Sequence, residues 1–253
     1  MRDVTLAAVD ALPTPVLPIA TAYPPTHLLA WHEHRRAQFL YAATGTMQVE
    51  TEHGAWTVPR ERAVLIPPQR RHQVRMLDVE TNSLYIEPSA VPWWPQSACR
   101  VVEVGPLLRE LLASASDIDP RDGLSDRDKC VLELILQESS LLEDVPLHIP
   151  IPRAAPFAQL CRHYLAAPDL AADNATWAGE AQMSERTFTR GFRAETGMSP
   201  ASWRSRARLL AAIPLLRHQS VADVAGRLGY ATPSAFSYAF TRTFGTAPSQ
   251  LRG

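Results

Sequence analysis

The sequence predicts an α+β protein made of an N-terminal antiparallel β-barrel, a helical hairpin and a C-terminal all-α domain with two helix-turn-helix units. Three observations lead to this fold class. Short β-type runs separated by turn signals fill residues 28–87, and apolar residues at helical spacing follow them. A sequence unit is then repeated 48 residues apart near the end of the chain.

Residues 1–97 are assigned to the β domain. The first 26 are rich in proline and are expected to be irregular. Beyond them, alternating apolar residues are interrupted by turn signals such as Thr44-Gly45 and His53-Gly54. The predicted strands cover residues 38–42, 46–51, 55–58, 63–66, 72–77 and 83–86. Strands this short and this closely spaced are typical of an antiparallel sandwich or barrel.

Residues 98–144 are predicted to form a helical hairpin. Leu108 and Leu112 follow helical spacing in its first helix, as do Leu134 and Ile135 in its second. Two interpretations stay open: the hairpin mediates dimerisation, or it only covers the barrel. Four prolines in residues 145–156 then indicate a semi-rigid extended linker.

Charge is divided at the same place. Residues 1–149 carry 13 basic and 20 acidic side chains, a balance of −7, whereas residues 150–253 carry 12 and 6, a balance of +6. Together these give the net charge of −1. A basic region suits a polyanion such as DNA. Because neither a signal peptide nor a run of roughly 18 apolar residues is seen, we expect a cytoplasmic protein.

The C-terminal region, residues 157–253, contains the duplicated unit. The serine or threonine that begins each copy is expected to cap a helix, its phenylalanines to be buried on one face, and its glycine to end the helix. The matching positions, first copy and then second, are Ser184 and Thr232, Phe188 and Phe236, Phe192 and Phe240, Gly197 and Gly245, and Pro200 and Pro248.

A short helix is predicted upstream of each copy, around residues 177–181 and 220–228. A helix, a tight turn and a capped second helix form a helix-turn-helix, whose second helix enters the major groove of DNA. A plain helical bundle would also use the caps and the phenylalanines. It would have no need of Arg186 and Arg190 on the opposite face, so DNA binding is the favoured interpretation.

Residues 229–240, followed by Phe244-Gly245 and Pro248, resemble the signature of AraC-type regulators, and the first copy resembles the first helix-turn-helix of that family. The resemblance covers residues 157–252. It implies seven helices, with a long helix at 201–216 joining the two units. The base-facing residues that it implies are Arg186, Thr189, Arg190, Ser234, Ser237 and Tyr238.

Three positions depart from an ideal pattern. Gln182 replaces a glycine that is frequent in the first turn, so a looser turn is expected. Tyr238 replaces a frequent arginine, and Pro214 is expected to kink the connecting helix. We therefore expect the first unit to read the DNA sequence and the second to contribute mainly positioning and backbone contacts.

In the N-terminal domain, His32, His34, Gln38 and His72 resemble the two motifs of cupins, as do the prolines before His72. This resemblance covers residues 28–87 and places three imidazoles and one amide together inside a barrel, where they would suit a divalent transition metal. The departure is Gln38, a neutral amide in place of the usual carboxylate, which argues against a redox-active catalytic iron.

Three interpretations of this pocket stay open: a metal site, a polar lining for an organic ligand, and a relic of an enzymatic ancestor. The favoured function is a homodimeric, non-enzymatic transcriptional regulator that binds double-stranded DNA under the control of a small-molecule or metal effector. The alternatives are a cupin-type metal-dependent enzyme with an accessory helical domain, and a DNA-binding dimer without a ligand.

Overall fold

The computed structural model describes residues 6–95 and 98–251. The chain forms two compact units, one comprising Met1–Val49 and Val58–Val145 and the other Glu50–Thr57 and Pro146–Gly253. The strands are Val16–Ala22 (β1), His27–His32 (β2), Ala37–Ala42 (β3), Thr46–Thr51 (β4), Gly54–Pro59 (β5), Arg62–Ile66 (β6), His72–Leu77 (β7), Glu80–Ile86 (β8), Arg100–Glu103 (β9), Asp144–Val145 (β10) and His148–Pro150 (β11).

The first unit is built on a six-stranded sheet of order β1-β8-β3-β6-β9-β10. The expectation of an irregular start to the chain is wrong for β1, which pairs antiparallel with β8 along its whole length. Pro18 is tolerated there because β1 is an edge strand, where a missing backbone N–H breaks no ladder on its outer side. A second sheet places β4, β7 and β2 side by side.

One face of the six-stranded sheet is covered by the predicted helical hairpin. The helices of this unit are Leu6–Val9 (α1), Pro106–Ala115 (α2) and Asp126–Ser140 (α3). Leu108 and Leu112 of α2 and Ile135 of α3 share one buried cluster with Phe39 and Leu65 of the sheet. Since side chains alternate along a strand, the residues that flank Phe39 point to the opposite face.

The second unit contains the predicted helix-turn-helix region. Its helices are Ala155–Ala166 (α4), Asn174–Glu180 (α5), Glu185–Thr196 (α6), Pro200–Leu216 (α7), Val221–Arg227 (α8) and Pro233–Phe244 (α9). Where seven helices were expected, residues 155–251 thus form six α-helices and a final 3₁₀ turn. The long helix α7 matches the predicted one, and Pro214 lies in its last turn. None of the described helices is long and apolar enough to cross a membrane.

The segment predicted to be a linker is fixed to its own unit. Its residues His148–Pro150 form β11, which pairs antiparallel with β5. The indole Nε1 of Trp203 donates to the carbonyl of Pro150 at 2.7 Å, and the Arg206 guanidinium donates to the carbonyls of His148 and Pro146. The composition therefore predicted an extended backbone here but not its attachment to α7.

Candidate functional site

The two predicted recognition helices, α6 and α9, begin and end in the same way. The hydroxyl of Ser184 accepts a hydrogen bond from the backbone N–H of Thr187, and that of Thr232 accepts one from Ala235. The caps Gly197 and Gly245 that end α6 and α9 have φ of 72° and 75°. These dihedrals lie in the left-handed region where glycine avoids a side-chain clash. The 48-residue repeat is therefore a repeat of structure as well as of sequence.

The turns before these helices also match. The backbone N–H of Gln182 donates to Gly179 and that of Met183 donates to Ala178, both at 2.9 Å. In the second helix-turn-helix, the backbone N–H groups of Gly229 and Tyr230 make the equivalent bonds to carbonyls three and five positions earlier. The expected loosening at Gln182 is not observed. The glutamine instead adopts a positive φ of 56°, which costs free energy that glycine would avoid.

Buried aromatic rings orient both recognition helices. Phe188 and Phe192 of α6 are fully buried and lie 5.7 Å apart, with Trp177 and Trp203 packed around them. In α9 the buried residues are Phe236, Phe240 and Phe244. Because these rings fix one face of each helix inward, the opposite face is presented to solvent.

Four of the six predicted base-facing residues lie on those outward faces, and the other two lie beside them. Arg186, Arg190, Ser234 and Tyr238 are exposed, and Thr189 and Ser237 are half-buried. Equivalent positions carry different chemistry: a long cation at Arg190 corresponds to an aromatic ring at Tyr238, which is 68% exposed. The structure thus provides two similar helices with chemically different outward surfaces.

In the N-terminal β domain the structure brings the three predicted histidines together. His32 at the end of β2 lies opposite His72 at the start of β7. Between the pairs Leu29–Val74 and His32–His72, β2 has one residue more than β7, a bulge of the kind that often re-aims side chains near a site. His34 completes the group, and one imidazole nitrogen of each histidine lies within 4.8 Å of the others.

Each imidazole is held by its Nδ1 atom. Nδ1 of His32 is 2.8 Å from the carbonyl of Ala30, that of His34 is 2.6 Å from Arg36, and that of His72 is 2.7 Å from Arg70. Since a carbonyl only accepts, Nδ1 must carry the proton in all three. Each Nε2 therefore presents a lone pair. Nε2 of His72 is buried and has no hydrogen-bond partner.

Burial favours the neutral form of two of these imidazoles. Desolvation lowers the pKa of His72 to about 3, against the opposing effect of its hydrogen bond to Arg70. Desolvation also lowers the pKa of His34. A neutral imidazole is the form that binds a metal.

Gln38 of β3 is the fourth predicted site residue, and it lies next to His34. Its Oε1 atom is 3.2 Å from Nε2 of His34, and its Nε2 atom is 2.9 Å from the hydroxyl of Tyr85. The ring of Tyr85 meets the His34 ring edge-on at 5.1 Å. Sequence reasoning missed Tyr85 and Ser83, the second partner of the amide at 3.4 Å. Both residues flank the buried Leu84 on β8 and therefore point to the opposite face of the sheet, and this alternation could have revealed them.

The donor set fits a divalent transition metal ion. Nitrogens that each lie about 2.0–2.1 Å from one tetrahedral ion would be roughly 3.3 Å apart. The imidazole nitrogens lie within 4.8 Å of one another, so each pair would have to approach by about 1.5 Å or less to bind such an ion. Backbone carbonyls already orient the three rings, an outer-shell arrangement common to metal-bound histidines. Such an ion would give the Nε2 atom of His72 the partner that it lacks.

Together, paired recognition helices and a polar site inside a separate β domain define a class, the DNA-binding regulators with a ligand-binding domain. Sequence comparison is in agreement. Residues 15–169 match the profile of the AraC-like ligand binding domain, and residues 177–253 match that of a helix-turn-helix domain. The chain belongs to the AraC family of transcriptional regulators.

Relatives among known proteins include two regulators from Escherichia coli. The HTH-type transcriptional regulator NimR of strain K12 is 28% identical over 221 residues, covering 87% of this chain and 80% of NimR. The HTH-type transcriptional activator RhaS of strain K12 / DH10B is 34% identical over 126 residues, covering 48% of this chain and 42% of RhaS.

Two solved structures were also compared. ToxT from Vibrio cholerae O395 is 11% identical with a TM-score of 0.38, covering 93% of this chain and 96% of ToxT. The DNA-binding domain of the transcriptional factor AdpA, in complex with a target DNA, is 38% identical with a TM-score of 0.35. That match covers 38% of this chain and 87% of the AdpA domain. The family assignment depends on the sequence profiles alone.

Proposed function

We propose that this AraC-family regulator is controlled by a divalent transition metal ion, which binds at His32, His34 and His72 and changes the affinity of the chain for its DNA sites. The observation that carries the proposal is the set of three Nε2 lone pairs, each fixed by an Nδ1 hydrogen bond to a carbonyl. A ligand that binds one conformation better than another shifts the population of the DNA-binding state.

The three histidines would supply neutral nitrogen ligands, and Oε1 of Gln38 would supply the fourth. Imidazole ligands suit zinc, copper and nickel ions, whereas hard ions such as magnesium prefer carboxylates. The bound ion would act as an electrostatic and geometric bridge between β2, β3 and β7. Without a carboxylate in this set, we assign the site to sensing and propose no reaction for the protein.

An organic ligand is the second candidate, and one observation favours it. The amide of Gln38 and the hydroxyls of Tyr85 and Ser83 form a hydrogen-bonded group beside the histidines. Such a group offers donors and acceptors to a polar small molecule.

We also propose that the protein is a cytoplasmic homodimer. The α2–α3 hairpin buries one side on the sheet but leaves Leu107 and Leu134 exposed by 53% and 41%, and Leu141, just after α3, by 76%. Exposed leucines concentrated on one hairpin favour a protein partner. A second copy of the chain is the simplest one, since most oligomers are symmetric.

Metal content and DNA binding of the purified full-length chain test the proposal together. We expect bound metal by elemental analysis, and zinc binding in competition with a chromophoric chelator. His72→Ala should lower zinc affinity by more than the roughly 10- to 100-fold typical of losing an outer-shell partner. His53→Ala is the matched control, because His53 is exposed and outside the cluster.

DNA binding is then followed by fluorescence anisotropy with fragments upstream of the gene of this protein, in zinc sulfate or in EDTA. We expect a salt-sensitive, sequence-selective complex whose affinity depends on zinc in the wild type and not in His72→Ala. If no selective complex formed in either condition, the proposed regulatory function would be contradicted. A selective complex that ignores zinc, with thermal stabilisation by organic compounds only, would replace the metal with the second candidate.

A further inference from the structure

Tyr238 and Arg190 are equivalent residues of the two recognition helices. Each is the sixth residue of its helix, two positions after a fully buried phenylalanine, in helices with matching caps at both ends. The two side chains therefore leave their helices at the same place and in the same direction relative to the buried ring. If the first position meets a base edge, so does the second.

The surface around Tyr238 differs from that around Arg190 in charge. The exposed charged residues of α6 include Arg186, Arg190 and Arg193 on its outward face and Glu185 in its first turn. The first charged residue of α9 is Arg242, in the last turn of the helix. Before it, the exposed side chains of α9 are small or aromatic: Pro233, Ser234, Ala235, Tyr238 and Thr241.

This composition points to one feature of the major groove. Guanine offers two acceptors that a guanidinium binds in a bidentate manner, whereas the C5-methyl group of thymine is read by apolar contact. A ring that is 68% exposed on a helix otherwise lined with alanine and hydroxyl groups can bury such a methyl group. The hydroxyls of Ser234 and Ser237 accept or donate and tolerate either base.

We propose that the second recognition helix reads thymine through its methyl group, with Tyr238 as the specificity-determining residue and Ala235 beside it. The second helix-turn-helix would then do more than position the protein on the DNA backbone. The inference rests on the proposed function, sequence-selective DNA binding, with α6 and α9 as the predicted base-reading helices. It adds the class of base pair that the second helix prefers.

Thymine-to-uracil exchange tests this directly, because it removes only the methyl group. Full-length protein first selects its preferred duplexes from a random pool, with zinc sulfate or with EDTA. Each thymine in the best duplex is then replaced singly by deoxyuridine, and the dissociation constant is measured by anisotropy at fixed salt. Burial of one methyl group predicts an affinity loss of about fourfold at one or two positions.

Variants assign that loss to a side chain. In Tyr238→Ala, we expect the thymine and uracil duplexes to bind equally, whereas Tyr238→Phe should keep the preference because it keeps the ring. Arg190→Ala is the matched control from the other unit: its affinity falls, but its thymine preference remains. Because Tyr238 is exposed, its variants should fold like the wild type, and circular dichroism checks this.

Two results would overturn the inference alone: a selective complex insensitive to uracil at every position, or a uracil effect that persists unchanged in Tyr238→Ala. Failure to select any sequence, with and without zinc, would overturn the proposed function as well. The two failures are therefore distinguishable.

Discussion

Nε2 of His34 and Oε1 of Gln38 face each other at 3.2 Å, although Nδ1 of the same imidazole already donates to the carbonyl of Arg36 at 2.6 Å. With the proton on Nδ1, the two facing atoms are both acceptors. A positive ion between them relieves this repulsion, as does rotation of the amide so that its nitrogen faces the histidine. Introducing a negative charge at position 38 is therefore a direct test of metal binding.

Gln38→Glu should raise zinc affinity about tenfold to a hundredfold. A carboxylate adds a negative charge to three neutral ligands, so its attraction to a divalent cation exceeds that of the neutral amide. Tyr85 and Ser83 can donate their hydroxyls to the carboxylate. Gln137→Glu on the exposed side of α3 is the control, because it makes the same charge change far from the cluster. Unchanged or weaker zinc binding by the first variant would contradict the proposed site.

The stability of the metal-free protein should fall as the pH is lowered from above 6.5. Burial lowers the pKa of His72 to about 3 and also lowers that of His34, so just below pH 6.5 the unfolded chain binds more protons than the folded one. Unfolding free energy then decreases with falling pH, by at most about 1.4 kcal/mol per pH unit for each such histidine.

Urea denaturation in EDTA at several pH values between 5 and 7.5 measures this slope. His72→Gln should make the dependence shallower, because the glutamine does not titrate. His53→Gln should leave it as in the wild type. Equal slopes in all three proteins would show that His72 titrates alike in the folded and unfolded chains.

Arg190→Ala should weaken the preference for the selected DNA site about tenfold to a hundredfold, which corresponds to the roughly 1–3 kcal/mol of a bidentate arginine–guanine pair. Ser237→Ala should cost much less, since Ser237 is half-buried and its hydroxyl is not selective. Competition binding with selected and random duplexes at one salt concentration measures both. Similar losses of specificity in the two variants would contradict the unequal roles of the helices.

Gln182→Gly should stabilise the first helix-turn-helix by about 1 kcal/mol, because a left-handed φ costs a non-glycine residue roughly that amount. The converse change at the equivalent turn, Gly229→Ala, should destabilise. Its Cβ would lie 3.0 Å from Leu170 and its φ is 75°. Thermal unfolding compares the pair, and a lower melting temperature for Gln182→Gly would contradict the argument.

The double variant Leu107→Glu and Leu134→Glu should be monomeric where the wild type is dimeric. Four acquired charges per dimer on the exposed side of the hairpin would oppose association, without disturbing the buried cluster below. Size-exclusion chromatography with light scattering measures the mass. Leu28→Glu is the control, as Leu28 is a 48% exposed leucine on β2. A monomeric wild type, or a dimeric double variant, would exclude the proposed interface.

The sequence by itself determined the elements whose causes are local. Helix caps, left-handed glycines and pairs of phenylalanines four residues apart act within one or two helical turns, so the duplicated unit could be predicted almost residue by residue. The alternation of β3 through β8 was equally visible. The cluster of His32, His34 and His72 was predicted through a resemblance, and the structure brings these residues together.

Only the tertiary structure decided what surrounds those elements. Tyr85 reaches Gln38 across 47 positions of sequence because β3 and β8 pair in one register, and no local pattern encodes that register. The tautomers of the histidines depend on carbonyls whose direction is set by backbone geometry. The edge strand β1 and the anchoring of β11 by Trp203 likewise depend on distant partners. These choices are made by packing and pairing, which act between segments far apart in the chain.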